Sequence, residues 1–139
     1  NARLLNVQNV DFVESDLFEA LENEKVNVGK DRFFDIIISN PPYIESAVIE
    51  TLMPEVKDHE PMLALDGKED GLFFYRKIVD KAPKYIRKGG KLLFEIGYNQ
   101  GKAVYDILVN CGFENVSFFT RKFKEIMGCT PSVYRKKQL

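Results

Sequence analysis

The chain has 139 residues, 45% of them hydrophobic and 29% charged, with a formal net charge of −1; this is an ordinary globular composition, enough for one domain with a core. No apolar run approaches the roughly 18 to 20 residues that cross a bilayer, and Asn1-Ala2-Arg3-Leu4-Leu5-Asn6 carries no secretion signal, so a cytoplasmic location is expected and membrane contact is not. Cys111 and Cys129 lack CxxC spacing and His59 is the single histidine, so neither a zinc site nor a thiol–histidine dyad is expected and both cysteines read as reduced structural thiols.

In chain order, Val10 to Glu14 alternates like a short strand and runs into Ser15-Asp16-Leu17-Phe18, a strand-end loop opening a short helix. Residues 22–31 are polar and read as a surface connection. Phe33 to Ile38 is too continuously apolar for a half-exposed strand, so it is expected to be buried. Residues 44–68, with Pro54 and Pro61 and no sustained period, read as a long loop of functional or mobile kind. Leu72, Tyr75, Val79, Ala82 and Ile86 recur at spacings of three and four, which predicts an amphipathic helix from Gly71 to Ile86 with a break at Pro83. Arg87-Lys88-Gly89-Gly90 reads as its stop signal. Lys91 to Ile96 is expected to be a strand, Gly97 to Gly101 a loop and Lys102 to Asn110 a helix ended by Gly112-Phe113, with Val116 to Phe119 as a candidate last strand. Glu95, inside the strand, is expected to find a structural partner. Strand and helix alternating in this way argue an α/β fold with a parallel sheet.

Asn40-Pro41-Pro42-Tyr43 follows the apolar run directly, at the strand end where α/β enzymes keep their chemistry. Two prolines fix two φ angles and remove two donors, and the residue before a proline is driven out of the helical region, so Asn40 is expected to stand extended with its amide presented. The Pro41 carbonyl is left free to accept. Together they form a clamp for a planar NH2 group, with the Tyr43 ring as a stacking face. That chemistry suits methylation of an amide or exocyclic amine nitrogen.

The elbow and its flanks resemble the protein-(glutamine-N5) methyltransferases that act on peptide chain release factors. Asn-Pro-Pro-Tyr by itself is shared with amino-methyltransferases of adenine in DNA and of RNA. The run from His59-Glu60-Pro61-Met62-Leu63-Ala64-Leu65-Asp66-Gly67 to Tyr75-Arg76-Lys77-Ile78, and Gly89-Gly90-Lys91-Leu92-Leu93-Phe94-Glu95-Ile96-Gly97-Tyr98-Asn99-Gln100-Gly101, are similar to segments of the release-factor subfamily. The resemblance covers residues 1–116 as the C-terminal part of a catalytic domain. It implies S-adenosylmethionine as cofactor, with Asp16 and Leu17 beside the adenine and Asn40 touching cofactor and substrate. It also implies a release factor as protein partner, Asn40 and Pro41 as the catalytic clamp and Pro42 and Tyr43 as the substrate wall, with no metal. Asp16 alone would serve equally as a helix cap. Glu60-Pro61 is expected to anchor its loop rather than touch substrate, and His59 is given no catalytic role.

The chain departs from that family in two respects. It contains no Gly-x-Gly, and Asn1 to Leu5 is similar to the end of the helix after the family's second strand. The resemblance therefore implies a partial Rossmann-like methyltransferase fold lacking its first two strands. A fragment with an open apolar sheet edge is expected, one that self-associates through the edge and neither binds cofactor tightly nor turns over alone. The second departure is a basic tail: residues 121–139 hold six Lys or Arg against Glu125, whereas 1–120 hold 14 against 20 acidic residues. Residues 112–137 resemble the closing helix-turn-helix of AraC-type regulators, with Phe119, Phe123, Ile126 and Met127 on one helical face and Gly128 and Pro131 as stop and start signals. Residues 117–139 are accordingly expected to form a basic helical tail. The competing readings are an adenine or guanine amino-methyltransferase, which would favour a basic face that residues 1–120 lack, and a DNA-binding or interaction module built on the tail. Nucleic-acid binding is not expected, since the earlier half of the double helix-turn-helix is absent.

Overall fold

The computed structural model describes residues 1–23, 34–113 and Gly128. The expectations for residues 24–33, for a strand at Val116 to Phe119, for Cys129 and for the tail lie outside the described residues. The chain resolves into two compact units, Asn1–Tyr98 and Asn99–Leu139.

The first unit is built on two parallel strands, β1 (Phe34–Ser39) and β2 (Ile86–Phe94). Ile36, Ile37, Ile38 and Ser39 pair in regular register with Lys91, Leu92, Leu93 and Phe94, and the Glu95 N–H extends the ladder to the Ser39 carbonyl at 3.0 Å. Phe34 pairs with Ile86, so β2 uses five steps where β1 uses two, and Arg87 to Gly90 bulge out of the ladder. Gly89, at φ 79°, turns the bulge, while a β-carbon on Gly90 would sit 2.7 Å from Ile86 Cγ1 and 3.0 Å from the Asp35 carbonyl oxygen. Arg87-Lys88-Gly89-Gly90 is therefore a bulge within a strand rather than the stop of a helix. The helix ends earlier: α5 spans Phe73–Lys81 and continues as a 3-10 turn, Ala82–Lys84, where Pro83 removes the donor that an α-helix needs.

Helix α5 buries Tyr75, Ile78 and Val79, the stripe that its spacing predicted. Tyr75 meets Phe94 edge-on, ring centroids 5.2 Å apart, which places α5 against the sheet face that carries Phe94 and, by period two, Leu92. In register with these, Ile37 and Ser39 share that face, leaving Ile36 and Ile38 on the other. Ile36 is 53% exposed and Ile38 76%. The expected burial of both faces is thus corrected to one, because no helix among the described residues covers the second.

Two other expectations change. Val10 to Glu14 is no strand but an exposed segment without regular structure, since alternation alone makes no ladder and no described strand pairs with it. Residues 44–68 are not structureless: they hold α2 (Ser46–Ile49), α3 (Pro54–Lys57) and α4 (Met62–Leu65), each four residues long and too short to show a period. Short α1 (Glu19–Glu22) opens after Ser15 as expected, with Ser15 Oγ accepting from the Ala20 N–H at 2.8 Å. Phe18 stacks on Tyr85 at 5.0 Å, and Glu22 pairs with Lys81 of α5.

The second unit contributes α6 (Gly101–Asn110), which buries Val104 and Leu108 four residues apart. Its end is a Schellman motif: Gly112 at φ 89° lets Phe113 donate to Leu108 and Gly112 donate to Val109, both at 3.0 Å. Cys111 is free and exposed rather than packed.

Candidate active site

At the C-terminal end of β1 the chain leaves the ladder as Asn40-Pro41-Pro42-Tyr43. Asn40 is exposed, Pro41 buried, and Pro42 and Tyr43 half-buried. Neither the Asn40 side chain nor the Pro41 carbonyl has a hydrogen-bond partner among the described residues. Beyond the elbow the chain is stitched to a segment 22 residues on. Ile44 donates to Leu65 at 3.1 Å, Gly67 donates to Ile44 at 2.8 Å, and Ser46 donates to Lys68 at 3.0 Å, a parallel bridge centred on Ile44 and Asp66. Asp66 locks this bridge with its carboxylate, which accepts from Ser46 Oγ at 2.6 Å, the Lys68 N–H at 2.9 Å and Lys68 Nζ at 2.7 Å. Lys68 and then Ser46 hold the Asp66 carboxyl down at a pKa of about 2. Gly67 fits only as glycine, because a β-carbon there would lie 2.7 Å from Tyr43 Cα.

The bridge brings α4 over the elbow and encloses a cavity of about 410 Å³ lined by Asn40, Pro42, Tyr43, Ile44, Glu60, Leu63, Ala64 and Leu65. Of the expected site residues, Asn40, Pro42 and Tyr43 share this cavity; Pro41, Asp16 and Leu17 are not part of its lining. Glu60 lines it as well, in addition to its expected place in the loop. Its backbone N–H donates to Val56 at 3.0 Å, but its carboxylate has no partner among the described residues. Glu95 is likewise exposed, without the expected side-chain partner.

The cavity has mixed walls, the aliphatic side chains of Ile44, Leu63, Ala64 and Leu65 with a carboxamide at one position and a carboxylate at another, and its volume is that of an ordinary small-ligand cleft. Comparison with known proteins finds relatives that share one name. A protein of Fusobacterium nucleatum subsp. nucleatum named release factor glutamine methyltransferase is 47% identical over 117 residues, 84% of this chain and 31% of that protein. The same name belongs to a Thermodesulfovibrio yellowstonii protein 43% identical over 113 residues, 81% of this chain and 38% of its own. A third, from Clostridium acetobutylicum, is 51% identical over 89 residues, 64% of this chain and 30% of its own. The kinship read from the motifs is borne out. The chain spans about a third of the length of these relatives. The family profile described as bacterial regulatory helix-turn-helix proteins, AraC family, matches residues 98–136. That likeness therefore starts 14 residues earlier than the sequence reading placed it, at Tyr98 instead of Gly112, and takes in α6.

Among the described residues no helix is long and apolar enough to cross a membrane.

Proposed function

We propose that this chain is part of the catalytic domain of an S-adenosylmethionine-dependent enzyme that methylates the N5 nitrogen of a glutamine side chain in a peptide chain release factor. One observation carries the reading: the Asn40 carboxamide and the Pro41 carbonyl stand at a strand end without described partners, and Asn40 opens on a slot shared with Tyr43. The relatives' name agrees with it. In this reading residues 1–116 belong to a Rossmann-like methyltransferase sheet whose first two strands they do not supply, residues 117–139 form a basic tail, and the enzyme works in the cytoplasm.

Asn40 Oδ1 and the Pro41 carbonyl accept the two hydrogens of the glutamine NH2, and the Tyr43 ring and Pro42 hold its plane. An amide nitrogen is a poor nucleophile because its lone pair is delocalised. Two acceptors bearing partial negative charge offset the positive charge that grows there as the bond forms, and holding the nitrogen in line removes the entropy cost of finding that geometry. S-adenosylmethionine, when bound, supplies an electrophilic methyl group. The chemistry of Asp16 fits its adenine: the carboxylate is exposed and without a described side-chain partner, able to accept from an exocyclic amine, and Leu17 beside it, at φ 50°, is exposed as well. Asp16 reaches no part of the Asn40 cavity, so its role is to bind and orient.

The test is a chimera in which this chain replaces the matching segment of the Fusobacterium nucleatum relative, assayed with labelled methyl donor on a release factor and on duplex DNA. Label on a glutamine amide, lost in Asn40→Ala, is the expected result. Label surviving in that variant would overturn the clamp, and label on DNA would favour the amino-methyltransferase reading.

A second reading attaches to residues 98–136 alone, where the AraC-family profile matches and six basic residues of 121–139 face one acidic one. It makes that stretch a nucleic-acid contact, whose affinity would fall steeply across a salt series.

A further inference from the structure

The clamp residues do not hold themselves in place. Continued by one step, the register of β1 and β2 sets Asn40 opposite Glu95. In a parallel ladder such a residue donates to the carbonyl before its opposite number and accepts from the N–H after it. Glu95 makes the first of these bonds, its N–H on the Ser39 carbonyl at 3.0 Å. The second is closed to it, because the residue after Asn40 is Pro41, which has no N–H. The Tyr75 hydroxyl supplies a donor in its stead, reaching the Glu95 carbonyl at 2.9 Å from the buried face of α5. Tyr75 is fully buried with its ring edge-on to Phe94, so this donor sits on a side chain locked by packing.

Resting on the glutamine-amide reading above, we propose that Tyr75 is a positioning residue of the amide clamp: its hydroxyl replaces the ladder donor that Pro41 lacks and so fixes the peptide that leads into Asn40. The Ser39 carbonyl belongs to the same peptide plane as the Asn40 N–H. One side of Asn40 is therefore set by the Glu95 rung, and the other by the clash that Pro41 imposes on the residue before it. With both sides set, the carboxamide leaves the backbone in one direction. Without the Tyr75 hydroxyl the Glu95 carbonyl loses this donor and turns toward water to replace it, and the rung on Ser39 slackens with it. Tyr75 touches no substrate atom and acts only through Glu95 and Ser39. The same helix braces the other side of the elbow, where the Phe73 N–H reaches the Gly67 carbonyl at 3.4 Å and Gly67 packs on the Tyr43 backbone.

The experiment follows the protein by NMR and titrates it with two capped pentapeptides, Ala-Ala-Gln-Ala-Ala and its all-alanine counterpart. Their affinity ratio reads the amide clamp, since a general loss of stability lowers both affinities together. Tyr75→Phe should lower the ratio roughly two- to tenfold, the span set by the net worth of one hydrogen bond. It should also speed exchange of the Glu95 N–H relative to the ladder amides before it. Ile78→Val, on the same buried stripe but without a hydroxyl to lose, should cost comparable stability and leave both readouts unchanged. A ratio unaltered in Tyr75→Phe, or lowered equally in Ile78→Val, overturns the proposal and leaves the clamp standing. Loss of the preference in Asn40→Ala supports the underlying reading. If the unaltered protein shows no preference for the glutamine peptide, the amide reading itself fails, and the proposal with it.

Discussion

The Tyr75 hydroxyl donates to the backbone carbonyl of Glu95 at 2.9 Å, joining the buried face of α5 to the residue just past β2. Tyr75 is 0% exposed, so its ring packs on Phe94 while its one polar atom is satisfied by the chain that leads out of the sheet. Strand end and helix are thereby fixed at the height of the elbow, one strand away.

Removing that hydroxyl tests the link. Tyr75→Phe should cost about 0.5–1.5 kcal/mol, the net worth of a buried hydrogen bond, read as a lower urea midpoint at unchanged slope.

The same residue predicts an alkaline limit. Burial, and then the nearby Tyr43 and Glu95, raise the Tyr75 phenol well above its usual value. Its contribution is present in full below the unfolded value near 10 and declines as pH rises past it, because the unfolded chain then loses a proton that the folded one keeps. The stability difference between the unaltered protein and Tyr75→Phe should therefore be constant to about pH 10 and shrink above it.

At the acid end the Asp66 lock governs the bridge beneath the elbow. With its carboxyl held at about 2, its contribution is present above the unfolded value near 4 and is lost as pH falls through the folded one. An NMR titration of the Asp66 carboxyl should find a midpoint near the folded value, and Ser46→Ala, which removes one donor, should move it up.

Gly67→Ala should be worse than any surface change nearby. The added carbon meets Tyr43 and Gly71 backbone within 2.7–2.8 Å, and backbone cannot step aside as a side-chain tip can, so a loss of at least about 1–3 kcal/mol is expected. Glutamine-peptide binding should weaken with it, since Tyr43 is what must move.

On the open sheet face, Ile38→Lys should change the unfolding free energy from urea titration by no more than about 0.5 kcal/mol, because the side chain is already 76% exposed. If the edge self-associates, sedimentation at rising concentration should show less of it in this variant.

The parts of the fold legible in the sequence are those fixed by neighbours in the chain. Pro83 ends α5 through its own missing donor, and Gly112 closes α6 through its own positive φ; Asn40 stands at a strand end because the apolar run stops at Ser39. What was not legible depends on distant partners. Val10 to Glu14 alternates as a strand should, yet pairing is a property of two segments, and its sequence says nothing of the second. Ile36 and Ile38 look like core, yet no element among the described residues covers them and both are exposed. Glu60 reaches the cavity only because Ile44 and Asp66 bridge, a contact no local pattern announces.

The bulge at Arg87 to Gly90 has a practical reach beyond register. Extra chain introduced between Lys88 and Gly89 would leave the ladder from Lys91 to Phe94 untouched, since the surplus already loops outward there and nothing lies within 4 Å of a β-carbon at Gly89. The protein thus carries a natural port: a fluorophore-bearing peptide spliced in there would ride on the sheet without disturbing Phe94, Tyr75 or the elbow they align.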